Sequence, residues 1–186
     1  RLVPTLSKLS ASTQWRVRQS AVEIVPALLG CTHKLETRSE IAQLCVKLMG
    51  DSVDAVRKSA AECLCLGGSN IGSDKSDEAD EWLSAVVMPH LEACSDSSHS
   101  KQRLLSLKMV EMILINIARY ENVVIVKEVH SEPYTEPTLS LTSRALELAS
   151  TLANDKIVNV RLNVGRTYGN VLSVLNTDDD LEFVIS

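Results

Sequence analysis

The side chains that could ligate a metal or attack a substrate are few and scattered, with 4 His and 5 Cys among 186 residues. His90 and Cys94 stand four apart, a spacing that places two ligands on one face of a helix. Structural zinc takes four ligands, and nothing nearby supplies the other two, so a packed helix-end histidine is the better account. Cys63 and Cys65 are two apart on a helical pattern, which makes their thiols diverge. No histidine stands with serine and aspartate, or with cysteine, at a spacing that a catalytic triad supports, and no glycine-rich phosphate loop occurs. The chain is therefore read as not an enzyme, with no metal and no cofactor.

Composition narrows the remaining classes. Hydrophobic residues make 45% of the chain but aromatics only 3%, so a core must come mainly from Leu, Val, Ile and Ala. Only 7 Gly and 5 Pro punctuate it, too few for the turns of a sandwich or barrel. The apolar run 109–118 is broken by Glu111 and Asn116 and is shorter than the 18 or so residues of a membrane span. Five cysteines without scaffold spacing are expected to be reduced core thiols of a cytoplasmic or nuclear protein. Charge is uneven: residues 1–68 hold 9 Lys and Arg against 6 acids (+3), and residues 69–186 hold 10 against 18 (-8), which together give the net -5. A nucleic-acid groove needs clustered basic residues to displace counterions, so neither nucleic acid nor membrane is an expected partner.

The informative pattern is a repeat. The string Val17-Arg18-Gln19-Ser20-Ala21 returns as Val56-Arg57-Lys58-Ser59-Ala60 and, more loosely, as Val160-Arg161-Leu162-Asn163-Val164. The first two arginines are 39 residues apart, within the period of a unit made of two antiparallel helices. Asp51 and Asp155 each stand six residues before their arginine, and Ser12 takes that place in the first copy. Arg103 falls near the same position without a valine before it.

Apolar residues three and four apart give the expected elements. Four helix pairs are predicted over about 1–30, 37–66, 81–120 and 139–175, joined by loops at 67–80 and 121–137 and followed by an acidic tail at 177–186. In the first pair a second helix over 15–29 carries Pro26 as a bend and Gly30 as its C-cap. The first residues read as the interior of a helix, so the chain is expected to be a piece of a longer array. The fold class is all-α, an α-solenoid of about four such pairs.

The turn-Asp and helix-Arg pattern resembles HEAT repeats, in which these residues form a polar ladder from one repeat to the next. The strings Pro4-x-Leu6-x-x-Leu9-Ser10, Trp15-Arg16-Val17-Arg18-x-x-Ala21-Val22 and Pro26-x-Leu28 are similar to HEAT repeats of the scaffold (A) subunit of protein phosphatase 2A and of the regulatory subunit 1 of protein phosphatase 4. Close resemblance covers about residues 1–66. It implies a non-catalytic scaffold that holds a Ser/Thr phosphatase catalytic subunit or other regulatory subunits along its intra-repeat turns. On that edge Trp15, Arg16, Asp54 and Lys156 are the expected partner-binding residues, and Arg18, Asp51, Arg57, Asp155 and Arg161 the structural ladder. An adaptor of nuclear transport or chromosome assemblies would fit the same repeats. A HEAT-like DNA glycosylase ranks last, because it needs a basic, aromatic concave face.

Overall fold

The computed structural model describes residues 2–32, 34–67, 81–127 and 136–172, and every regular element within them is helical. The fold is all-α and built from antiparallel helix pairs in the manner of a helical repeat. The chain divides into two compact units, Arg1–His90 and Leu91–Ser186.

In the first unit α1 (Leu2–Ser10) turns into α2 (Trp15–Glu23) and α3 (Val25–Cys31), followed by α4 (Leu35–Leu48) and α5 (Asp54–Leu66). Helix α2 packs on α5, α4 on α5, and α1 on both α2 and α4. The spacing of apolar residues explains these contacts. Leu6, Val22, Val25, Leu29, Ile41 and Leu64 are all fully enclosed. Each such side chain contributes about 1.5–3 kcal/mol through removal of apolar area from water.

The helix expected over 15–29 is interrupted two residues before its proline. Ile24 closes α2 with φ −84° and ψ −10°, and Pro26 then occupies the first turn of α3, where no amide hydrogen is needed. Gly30 is not the cap: α3 continues to Cys31 and ends at extended Thr32. A left-handed cap is unnecessary where the chain leaves in the β region.

Gly67 was expected to open a loop, but it is a buried cap residue of α5. A Cβ there would lie 2.7 Å from Leu29 Cδ1 and 2.9 Å from Trp82 Nε1, so the close approach requires glycine. The remainder of that expected loop, 68–80, lies outside the described residues. The first unit continues through a π-helical turn, Leu83–Val87, and the division between units falls within α6 (Met88–Ser95).

In the second unit α7 (Ser100–Lys127) packs on α8 (Glu136–Thr151) and on α9 (Val158–Leu172), with a single 3-10 turn, Leu152–Asn154, ending the α8 stretch. Leu107, Met109, Ile113, Leu114 and Leu146 form its enclosed core. Part of the connection expected over 121–137 is helical, because α7 runs on to Lys127. Extending an existing helix adds one hydrogen bond per residue, which outweighs the few tenths of a kcal/mol that each β-branched residue in 123–126 costs. Pro137 sits in the first turn of α8, and Pro133 and the acidic tail 177–186 lie outside the described residues.

Gly165 and Gly169 both lie within α9. A Cβ on either would meet nothing within 4 Å. Gly165→Ala and Gly169→Ala are therefore expected to stabilise the protein by about 0.5–1 kcal/mol each, since glycine loses more backbone entropy in a helix. Urea unfolding of the two variants checks this, and a loss of stability would show that the intrachain space is not open.

Candidate functional site

The four intra-pair turns are built to one plan. In each, a polar side chain accepts the backbone N–H two residues on: Ser12 Oγ from Gln14 at 3.2 Å, Asp51 Oδ1 from Val53 at 2.8 Å, Ser97 Oγ from His99 at 3.2 Å, and Asp155 Oδ1 from Ile157 at 2.7 Å. This contact satisfies one of the orphan amides at the start of the following helix. Six residues later an arginine donates Nη1 back to that residue's carbonyl. Arg18 reaches Ser12 O at 2.8 Å, while Arg57 reaches Asp51 O, Arg103 reaches Ser97 O and Arg161 reaches Asp155 O, each at 2.7 Å. The arginine thus clamps the turn to its own second helix.

The rest of the guanidinium is what joins one pair to the next. Arg18 donates Nε and Nη2 to Asp51 Oδ2 and Oδ1 at 2.7 and 2.9 Å. Arg103 does the same to Asp155, with Nη2 3.0 Å from Oδ1 and Nε on Oδ2. Such fork-to-fork pairs are stronger and more directional than single contacts. All four side chains are largely enclosed, at 14% and 7% exposure in the first rung and 8% and 6% in the second. One rung therefore lies in each unit.

Sequence spacing placed Arg57 and Arg161 on the ladder and left Arg103 at its margin. In the structure Arg57 turns to Asp54 of its own turn, at 2.9 Å, and Arg161 binds its own turn carbonyl. Arg103 makes the second rung. The signal that finds it is Ser97, six residues earlier, matching Ser12 before Arg18. Serine and aspartate alternate at this position along the chain, so a serine-turn arginine meets an aspartate in the following turn.

Hydrogen bonds from Arg18 and Arg103 hold the Asp51 and Asp155 carboxyls below the usual carboxylate range. A carboxylate depressed below its unfolded value of about 3.9 adds stability above about pH 4 and loses it as pH falls through the folded value. The arginines are shifted upward and stay charged at any working pH. The Asp51→Asn, Asp155→Asn double variant should be less stable at neutral pH and show a flatter decline on acidification. Thermal melts from about pH 7 to about pH 3 test this; an unchanged acid slope would remove the rungs as its source.

Each expected partner residue lies in or beside one of these turns. Trp15 is half-buried at the start of α2, and the exposed Arg16 holds its guanidinium 4.8 Å from the indole centroid, a cation–π arrangement. Asp54 is exposed and pairs with Lys58 Nζ at 2.7 Å as well as with Arg57. Lys156 is exposed in the fourth turn. Trp15 and Arg16 form one cluster; Asp54 stands in the second turn, and Lys156 belongs to the other unit.

Cys31 is exposed and so is not one of the expected core thiols, whereas three of the four buried thiols are poor nucleophiles. Burial pushes Cys45 far up, Cys63 up to about 12 and Cys94 up to about 11, so all three stay protonated. Cys94 donates its thiol hydrogen to Gln102 Oε1 at 3.4 Å, and burial lowers the pKa of His90. Among the described residues no three His, Cys, Asp or Glu side chains gather as a metal site, and no helix is long and apolar enough to cross a membrane.

No protein-family model and no curated protein sequence matches this chain. Among solved structures it is similar to two engineered proteins from the Northeast Structural Genomics Consortium, both at 17% identity over 100% of this chain. One has a TM-score of 0.47, with 67% of its own length covered. The other has a TM-score of 0.33, with 61% covered, so this chain spans less than two thirds of that protein.

Proposed function

We propose that this chain is a non-catalytic interaction scaffold, a regulatory or scaffold subunit that docks a Ser/Thr protein phosphatase catalytic subunit on its turn edge. The observation that carries the reading is the Trp15–Arg16 cluster. An indole with a cation over its face stands at a turn that Ser12 and Arg18 hold in place, next to a rung that ties that turn to the following pair. Aromatic and arginine side chains on a preorganised backbone are the residue types that dominate binding energy at protein interfaces. The Trp-Arg-Val-Arg string supports the phosphatase assignment through its resemblance to the HEAT scaffolds, and action in the cytoplasm and nucleus goes with that assignment.

The test is direct binding, by calorimetry, of purified phosphatase 2A-type and phosphatase 4-type catalytic subunits to the full chain and to its Trp15→Ala variant. Saturable binding that Trp15→Ala weakens supports the reading. No binding to either subunit, alongside binding to transport or chromosome-associated proteins, would leave the fold standing and replace the phosphatase with another partner.

A further inference from the structure

In the first unit α2 and α5 are the second helices of successive pairs, and they pack on each other. Gln19 Nε2 donates to Ser59 Oγ at 3.0 Å across that contact. At about 100° per residue, Arg16, Ser20 and Glu23 form one ridge of α2, opposite buried Ala21, Val22 and Val25, and all three are exposed. Gln19 lies on the flank of the ridge that meets α5. On α5, exposed Lys58 and half-buried Glu62 stand one turn apart on either side of Ser59. The ridge and these two side chains thus border the seam between the helices, outside the surface through which the two pairs stack.

Charge is ordered along this face. At the turn end Arg16 lies over Trp15, and Lys58 and Arg57 share the single carboxylate of Asp54. At the other end Cys63 is raised by burial and then by Glu62 and Glu23, which places a carboxylate of each helix beside the same thiol. Among the described residues neither Arg16 nor Glu23 forms an ion pair. Between the charged ends the floor is polar, made of Gln19, Ser20 and Ser59. The large exposed apolar side chains of this unit lie elsewhere: Leu9 is on α1, and Ile24 is turned about 80° from Arg16 on the flank away from α5.

That floor suits an extended chain better than a helix. A docking helix needs an apolar groove for its seam, whereas an extended segment carries unpaired N–H and C=O groups that take polar partners. Arg16 and Glu23 are seven residues apart, about 10 Å along α2. Three residues of extended chain span that distance at about 3.3 Å each. We infer that this face docks an extended segment of a partner protein in which an acidic residue stands three positions from a basic one. The acid pairs with Arg16, the base sits between Glu23 and Glu62, and the backbone between them meets the Ser20 hydroxyl and Gln19 Oε1. The inference rests on the Trp15–Arg16 cluster being a docking point, and it names the chemistry of what docks there.

The probes are three labelled peptides of about eight residues on one Thr-rich sequence, carrying Glu-x-x-Arg, Glu-x-x-Glu or Arg-x-x-Arg. Fluorescence anisotropy with the full chain should show Glu-x-x-Arg binding about tenfold tighter than either of the others, and more weakly as salt rises from about 50 mM to about 500 mM. Glu23→Arg should move the preference to Glu-x-x-Glu, and Arg16→Glu should move it to Arg-x-x-Arg, each with an unchanged helical circular-dichroism spectrum. Placing Glu and Arg side by side in the peptide should remove most of the gain. The inference is overturned if no peptide binds, if the three bind alike, or if the two variants keep the parent's preference. It is also overturned by a dimer in sedimentation that Glu23→Arg abolishes, which assigns the face to a second copy. A phosphatase subunit that binds and is weakened by Trp15→Ala, while no peptide binds, would sink this inference and leave the docking edge standing; peptides that bind in the predicted order without any phosphatase binding would do the reverse.

Discussion

Trp82→Ala is expected to destabilise the first unit by about 3–5 kcal/mol, the range for truncating a large buried aromatic. The indole is 5% exposed and donates Nε1 to Leu64 O at 3.0 Å, one of the last carbonyls of α5. It therefore closes the end of a helix as well as filling space. The same ring lies against Gly67, which also sends its own amide to Leu64 O at 3.3 Å. A methyl group at 67 would intrude on Leu29 Cδ1 and on the indole at once, so Gly67→Ala should cost about 1–3 kcal/mol by overpacking. Combining the two substitutions should cost less than their sum, because the alanine methyl occupies part of the volume the indole vacates. Guanidinium unfolding followed by circular dichroism measures all three variants. A loss below about 1 kcal/mol for Trp82→Ala would mean the indole is not integral to that core.

Trp15→Ala should leave thermal stability nearly unchanged and weaken the proposed phosphatase complex about 30-fold or more, the equivalent of about 2 kcal/mol. The ring is only half-buried, and the turn beside it is held by Ser12, Arg18 and Asp51 rather than by the indole. Arg16→Ala should cost a smaller amount, about 0.5–1 kcal/mol of binding, as the exposed half of the cation–π pair. Calorimetric titration beside a melting curve separates the alternatives. If the melting temperature falls while affinity holds, the tryptophan caps the first pair's core and the docking edge must be sought elsewhere.

The two tryptophans show how far residue type alone reaches. Trp15 stands beside a polar turn in a repeated string, which marks it in the sequence. Trp82 follows a polar stretch with nothing repeated around it, and its part in the core comes from meeting Gly67 and Leu29, 15 and 53 residues earlier. Spacing of Leu, Val, Ile and Ala was enough to place most helices, because a helix buries residues three and four apart whatever it packs against. Their ends were less legible. Whether α7 stops near Tyr120 or runs to Lys127 depends on helix propagation competing with β-branched residues, and the margin per residue is small.

By itself the sequence determined an all-α chain of repeated helix pairs and a polar turn residue six before an arginine. Both are local periodicities. Only the tertiary structure decided which arginine meets which aspartate. Arg18 with Asp51 spans 33 residues and Arg103 with Asp155 spans 52, while Arg57 finds its carboxylate three residues away. An arginine side chain pairs with whichever carboxylate packing brings within about 3 Å, and chain separation carries no record of that distance.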